Sequence, residues 1–83
     1  MVDRDSPELA YVQLANDLAR RIESGEISGR MPSERSLAEE YGVAYQTARR
    51  AIAVLRDRGL VESVHGRGTF ALPPEARKGG SGR

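Results

Sequence analysis

Two glycine signals divide residues 31–72 of this chain. Gly42 lies between two stretches whose apolar residues recur at helical spacing, and His65-Gly66-Arg67-Gly68 lies between two short β-prone runs, Leu60 to Val64 and Thr69 to Leu72. Glycine takes left-handed backbone angles without steric cost, so the first signal ends one helix and opens a tight turn, and the second tips a hairpin. Helix, turn, longer helix and hairpin, behind a further helix, describe a mainly α domain with a small β-hairpin. This is a winged helix-turn-helix of three helices plus a two-stranded wing, a shape that can offer one helix to a DNA major groove with a hairpin beside it.

The local chemistry fills in each element. Ser6-Pro7 suits a helix start, with Ser as cap and Pro at the first helical position, and Leu9, Val12, Ala15, Leu18, Ala19 and Ile22 form the expected core stripe. Gly25 and Gly29 break the pattern, so Ser24 to Met31 is expected to run over the surface. Pro32-Ser33-Glu34-Arg35 opens the next helix, with Ser33 as cap and Glu34 against the positive dipole end, and Leu37, Ala38 and Tyr41 make its apolar face. Val43 closes the turn from below. The third helix starts near Ala44, buries Ala48, Ala51, Ile52 and Leu55, and ends at Gly59. Val64 and Phe70 are the expected anchors of the hairpin. The resulting organisation is a flexible N-terminus at 1–6, the winged domain at 7–74 and a polar, glycine-rich, disordered tail at 75–83.

Composition narrows the function classes. With 83 residues and 39% hydrophobic content there is room for one small core. The absence of cysteine removes disulfides, thiolate metal sites and thiol nucleophiles, and fits a reducing compartment. No apolar run approaches the roughly 20 residues of a membrane span, and the N-terminus lacks the order of a signal peptide. The expectation is a cytoplasmic, nucleoid-associated protein with no membrane partner. A net charge of +1 conceals an uneven spread: residues 1–43 hold five Arg against nine acids, and residues 44–68 hold five Arg against Asp57 and Glu62. Positive charge thus collects on the third helix and the hairpin, as expected when one face meets phosphates.

No nucleophile with a base and no metal cluster is visible, and the adjacent Glu39 and Glu40 point in different directions from one helix. The expectation is no enzyme, no cofactor and no metal. The front of the third helix, Tyr45, Gln46, Thr47, Arg49 and Arg50, is polar and basic, which favours double-stranded DNA. An apolar front would instead favour the alternative reading, a winged-helix protein-interaction module. RNA is disfavoured because an A-form major groove does not admit the helix. The bland reading of Arg35, Arg49 and Arg50 is a set of solvated charges pairing with Glu34, Glu39 or Asp57, and that of Tyr45 is packing against its own domain.

Several spaced motifs carry a resemblance. They are Pro32-Ser33-Glu34-Arg35 with Leu37-Ala38, Tyr41-Gly42-Val43, Thr47-Ala48-Arg49 with Ala51-Ile52 and Leu55, Gly59-Leu60-Val61, and Gly66-Arg67-Gly68-Thr69-Phe70. From about Ala10 to Leu72 the chain resembles the N-terminal domains of GntR-type bacterial transcription regulators, most closely the HutC branch. The resemblance implies a repressor bound as a homodimer to an inverted-repeat DNA operator. It also implies, in full-length relatives, a C-terminal domain that dimerises and binds a small-molecule effector. It places Arg35, Thr47 and Arg49 on DNA and His65, Gly66 and Arg67 at the minor groove. Relatives usually carry Ser or Thr followed by a guanine-reading Arg where this chain has Ala44-Tyr45. Ala44 cannot cap, Tyr45 has one hydroxyl in place of a fork, and Gln46 beside it can pair an adenine edge.

Overall fold

The computed structural model describes residues 7–76, and three helices and a hairpin follow one another as α1 (Pro7–Glu23), α2 (Glu34–Tyr41), α3 (Tyr45–Asp57), β1 (Val61–Val64) and β2 (Gly68–Ala71). The proposed Ser6 cap, the flexible segment 1–6 and the tail from 77 onward lie outside the described residues. Pro74–Ala76 form a short 3-10 turn after the hairpin.

Helix α2 shows why sequence and structure agree in this region. Ser33 is extended and its hydroxyl accepts from the Ser36 N–H, so one orphan donor of the first turn is satisfied. At the other end Gly42 adopts φ 67°, and its N–H returns to the Ala38 carbonyl. Helix α3 follows after two residues, its cap position occupied by Ala44, which supplies no side-chain hydrogen bond.

The core is formed by the inner faces of all three helices with the base of the hairpin. Leu14, Leu18, Leu37, Ile52, Leu55 and Val61 are the largest fully buried side chains, and no polar or charged residue is buried with them among those described. Burying a leucine or isoleucine of this kind contributes about 1.5–3 kcal/mol. The four α3 positions expected to face inward, Ala48, Ala51, Ile52 and Leu55, all do so. Helix α1 is rotated from the expected stripe. Ala10, Leu14, Leu18 and Ile22 are buried at four-residue spacing together with Ala15, whereas Val12 is only half-buried and the Leu9 side chain lies outside the described set.

Two further expectations are corrected. The Ser24–Met31 loop does not stay on the surface, because Ile27 and Met31 are 7% and 4% exposed and belong to the core. Its end also joins the sheet: the Met31 N–H donates to the Thr69 carbonyl at 2.8 Å and the Ala71 N–H to the Gly29 carbonyl at 2.7 Å, around an antiparallel bridge between Arg30 and Phe70. The hairpin anchors are also not Val64 and Phe70. The register pairs Val61 with Ala71, Glu62 with Phe70 and Val64 with Gly68, so Val64 and Phe70 share the outer face while Leu60, Val61 and Ala71 reach the core.

A polar cluster joins α1 to α2 at the edge of this core. The Tyr41 hydroxyl donates to an Asp17 carboxylate oxygen and accepts from Arg21 Nη1 at 2.7 Å, while Arg21 also grips Glu26 at 2.8 Å and Glu40 at 3.2 Å. The Tyr41 hydrogen bond, helped by the charges of Arg20 and Arg21, holds the Asp17 carboxyl below its ordinary range despite partial burial. Burial, reinforced by the bond to Asp17, pushes the Tyr41 phenol up to about 12. A phenol whose folded value lies above the unfolded value of about 10 stabilises the fold below pH 10 and loses that contribution as the pH climbs toward its folded value. Tyr41→Phe is therefore expected to cost about 1 kcal/mol at neutral pH. The gap between wild type and variant, measured by denaturant midpoints, should close between pH 10 and about 12, and a gap that stays constant across that window would contradict the assignment.

Candidate nucleic-acid interface

Because α3 commits one face to the core, its opposite face is determined. Gln46, Arg49, Arg50 and Ala53 surround a shallow hollow on that outer surface, and all but Ala53 are exposed. Thr47 lies on the flank and is half-buried. Tyr45, at 47% exposure, is the one large apolar side chain exposed among the described residues.

Neighbouring helices hold several of these side chains. Glu34, in the first turn of α2, accepts from the Tyr45 hydroxyl at 3.0 Å and lies 3.9 Å from Arg49 Nε, so one carboxylate orients two residues of α3. Tyr45 therefore folds back toward α2, as the packing reading anticipated, while its ring stays open to solvent. On the other flank the Arg50 guanidinium sits 4.1 Å above the centroid of the Tyr11 ring on α1. Such a stack contributes about 0.5–1 kcal/mol at an exposed site and fixes the direction of a long side chain. Arg35, one residue beyond Glu34, is exposed and lines a separate hollow with Ala38, Glu39, Val43 and Tyr45. It pairs with no acid among the described residues.

The hairpin places His65, Gly66 and Arg67 at its exposed tip, where the Arg67 N–H closes the turn onto the Val64 carbonyl at 2.9 Å. Between the start of β2 and α2 runs a cleft of about 490 Å³, bordered by Arg30, Ser33, Glu34, Ser36, Gly68 and Thr69 and floored in part by Ile52. Glu34 thus borders both the cleft and the α3 contacts, which makes the α3 front, the start of α2 and the wing one continuous surface.

The matched family is described as bacterial regulatory proteins, gntR family, and its match covers residues 10–71. The chain belongs to the GntR family. Its relatives include the HTH-type transcriptional repressor NagR of Bacillus subtilis, 37% identical over 76 residues that make up 89% of this chain and 31% of that protein. The Histidine utilization repressor of Klebsiella aerogenes is 32% identical over 76 residues, 89% of this chain and 32% of that protein. The chain therefore spans about a third of the length of these curated relatives. Among solved structures, the AraR DNA-binding domain in complex with operator ORE1 superposes with a TM-score of 0.70 at 36% identity, covering 75% of this chain and 78% of that one. The winged helix-turn-helix architecture and the resemblance to GntR regulators, with a HutC-type repressor among the relatives, both stand.

Within this GntR domain, two residues that organise the surface were not singled out as functional from sequence. The sequence points to helix-start chemistry for Glu34 and to an ion pair with an exposed arginine, and its position in the first turn serves both, with the Tyr45 hydroxyl as a further partner. Tyr11 carried no signal in the helical stripe, since only the crossing of α1 and α3 brings it to Arg50. Among the described residues no helix is long and apolar enough to cross a membrane, and no group of three or more His, Cys, Asp or Glu could hold a metal ion.

Proposed function

We propose that residues 7–74 bind double-stranded DNA sequence-specifically, with α3 in the major groove and the wing at the adjacent minor groove. In this reading the protein regulates transcription, as a repressor that occupies an inverted-repeat operator as a symmetric pair. The observation that carries the reading is the α3 front, where Gln46, Arg49 and Arg50 stand exposed opposite four fully buried apolar positions. A protein-docking module would place apolar side chains there. The similar AraR DNA-binding domain, solved in complex with an operator, supports the DNA-binding reading. The site then comprises Arg35, Tyr45, Gln46, Thr47, Arg49 and Arg50 from the helices and His65, Gly66 and Arg67 from the wing. It performs no chemistry, and a DNA partner places it with the nucleoid in the cytoplasm. Any small-molecule effector belongs to the part of the relatives' length that this chain does not span. Selection of bound sites from random duplexes tests the proposal directly: an enriched inverted repeat is expected, and recovery of no preferred sequence would overturn specific binding.

Arg49 is held at the front by Glu34 without being buried, so Arg49→Ala is expected to weaken operator binding by about 1–3 kcal/mol while leaving thermal stability intact. Unchanged affinity in a titration would remove it from the interface. Arg35→Ala should weaken specific and mixed-sequence duplexes alike and lower the slope of log affinity against log salt by about 1, the signature of one lost phosphate contact.

Tyr45 generates a third expectation. Its hydroxyl is already engaged by Glu34, leaving only the ring edge and a shared oxygen for DNA. It should therefore discriminate weakly at the G·C pair that an arginine in its place would read. Tyr45→Arg puts a fork next to the same carboxylate, which can orient it, and should add about 1–3 kcal/mol of preference for guanine there. Equal preference in both proteins, on operators that differ only at that pair, would assign base reading to Gln46 or Arg50.

A further inference from the structure

Arg30 lines the cleft between the wing and α2 and is drawn from the loop that precedes α2 rather than from the helix-turn-helix or the hairpin. The hydrogen bonds of Gly29 and Met31 to β2 pin the backbone on both sides of Arg30, which forms an isolated antiparallel bridge with Phe70 at the free edge of β2. Met31 turns into the core, so by strand alternation Arg30 turns the opposite way, onto the outer face that carries Val64, Gly68 and Phe70. There its guanidinium lies along Gly68. A Cβ at that position would lie 3.4 Å from Nε, 3.6 Å from Nη2 and 3.8 Å from Cζ, ordinary contact distances that place the planar group directly beside the glycine. Arg30 is exposed and pairs with no acid among the described residues, and Glu62, across β2 opposite Phe70, makes no ion pair with it.

We propose that Arg30 is a DNA-contacting residue of the wing, a backbone-phosphate clamp set behind the tip. The inference rests on the proposed DNA binding and adds an anchor drawn from the loop between α1 and α2. Three features favour a phosphate over a base edge. The guanidinium lies on the flank of the hairpin beside Gly68, behind His65 and Arg67 at the tip, and phosphates line the flanks of a groove while base edges form its floor. Its planar fork matches phosphate oxygens bidentately. Its backbone is already pinned by the bridge to β2, so only the side chain has to be ordered on contact. With Arg67, the wing then carries two guanidinium groups, and the loop length that seemed only to connect helices instead sets how far the second one reaches.

The test is the salt dependence of binding of the 83-residue chain to a mixed-sequence B-form duplex. Arg30→Met, which keeps an unbranched stem and removes the charge, should lower the slope of log affinity against log salt by about 0.9, and Arg30→Lys should retain the wild-type slope. Both variants should melt with the wild type. An unchanged slope in Arg30→Met overturns the assignment, and a slope lost equally in Arg30→Lys overturns the charge contact in favour of a structural role. Arg67→Ala is the companion measurement: a lowered slope there beside an unchanged one in Arg30→Met means that Arg30 alone was wrongly placed. A wild-type chain without salt-dependent binding overturns the DNA-binding reading together with this one.

Discussion

The inner face of α3 is the constraint from which the rest of the molecule follows. Ala48 and Ala51 are small enough to let this helix lie close to its neighbours, and Ile52 and Leu55 fill the space between them. With all four positions sealed, the helix has no rotational freedom left, because turning it by one residue would drive Arg49 or another polar side chain into a core that contains no polar group among the described residues. Burial on one side thus defines recognition on the other. In a chain this short no second core can perform the same service, so the precision of the outer face depends on the packing of the inner one.

Elements with local determinants were legible in the sequence. Ser33, Gly42 and the apolar spacing of α3 each act within one or two turns of the chain, and the structure places them as expected. What escaped were features decided by partners far away along the chain. The α1 stripe was read around Val12 when the buried residue is Leu14, because a helix with apolar residues on adjacent flanks offers two nearly equivalent faces and only the packing against α3 chooses. The burial of Ile27 and Met31 has the same origin. Nothing periodic marks a loop for burial, and the partner that holds Gly29 to Met31 in place is β2, roughly forty residues later.

The hairpin anchors show a different failure. Val64 and Phe70, expected as core anchors, do share one face in the register, but it is the outer face. In a structure of period two the set of residues can be right and the side wrong, because a pattern fixes which residues go together and not which way they point. The deciding fact is that Leu60 and Val61 continue directly from the end of α3 into the core, so the parity of the whole hairpin is inherited from the helix. The candidate site has the same character. The exposed residues of α3 were legible from spacing, while the contacts that aim them, Glu34 to Tyr45 and Arg49 and Tyr11 to Arg50, belong to helix crossings that spacing does not encode.

A carboxylate in the middle of a surface that is to meet phosphates is at first sight a liability, and Glu34 shows why it is tolerated. It sits at the positive end of α2, where the helix dipole offsets part of its charge. Its oxygen occupies the Tyr45 hydroxyl and draws on Arg49, so the acid acts mainly through these two side chains. The Arg49 contact is long and exposed, worth little in water and screened by salt, so the proposed contact with DNA would displace it at small cost. The Tyr45 bond, made to a group with no charge of its own, lacks that electrostatic lability. A tyrosine here is consequently braced where an arginine would be free to trade partners, and it shares with Arg49 the one carboxylate that ties the start of α3 to α2.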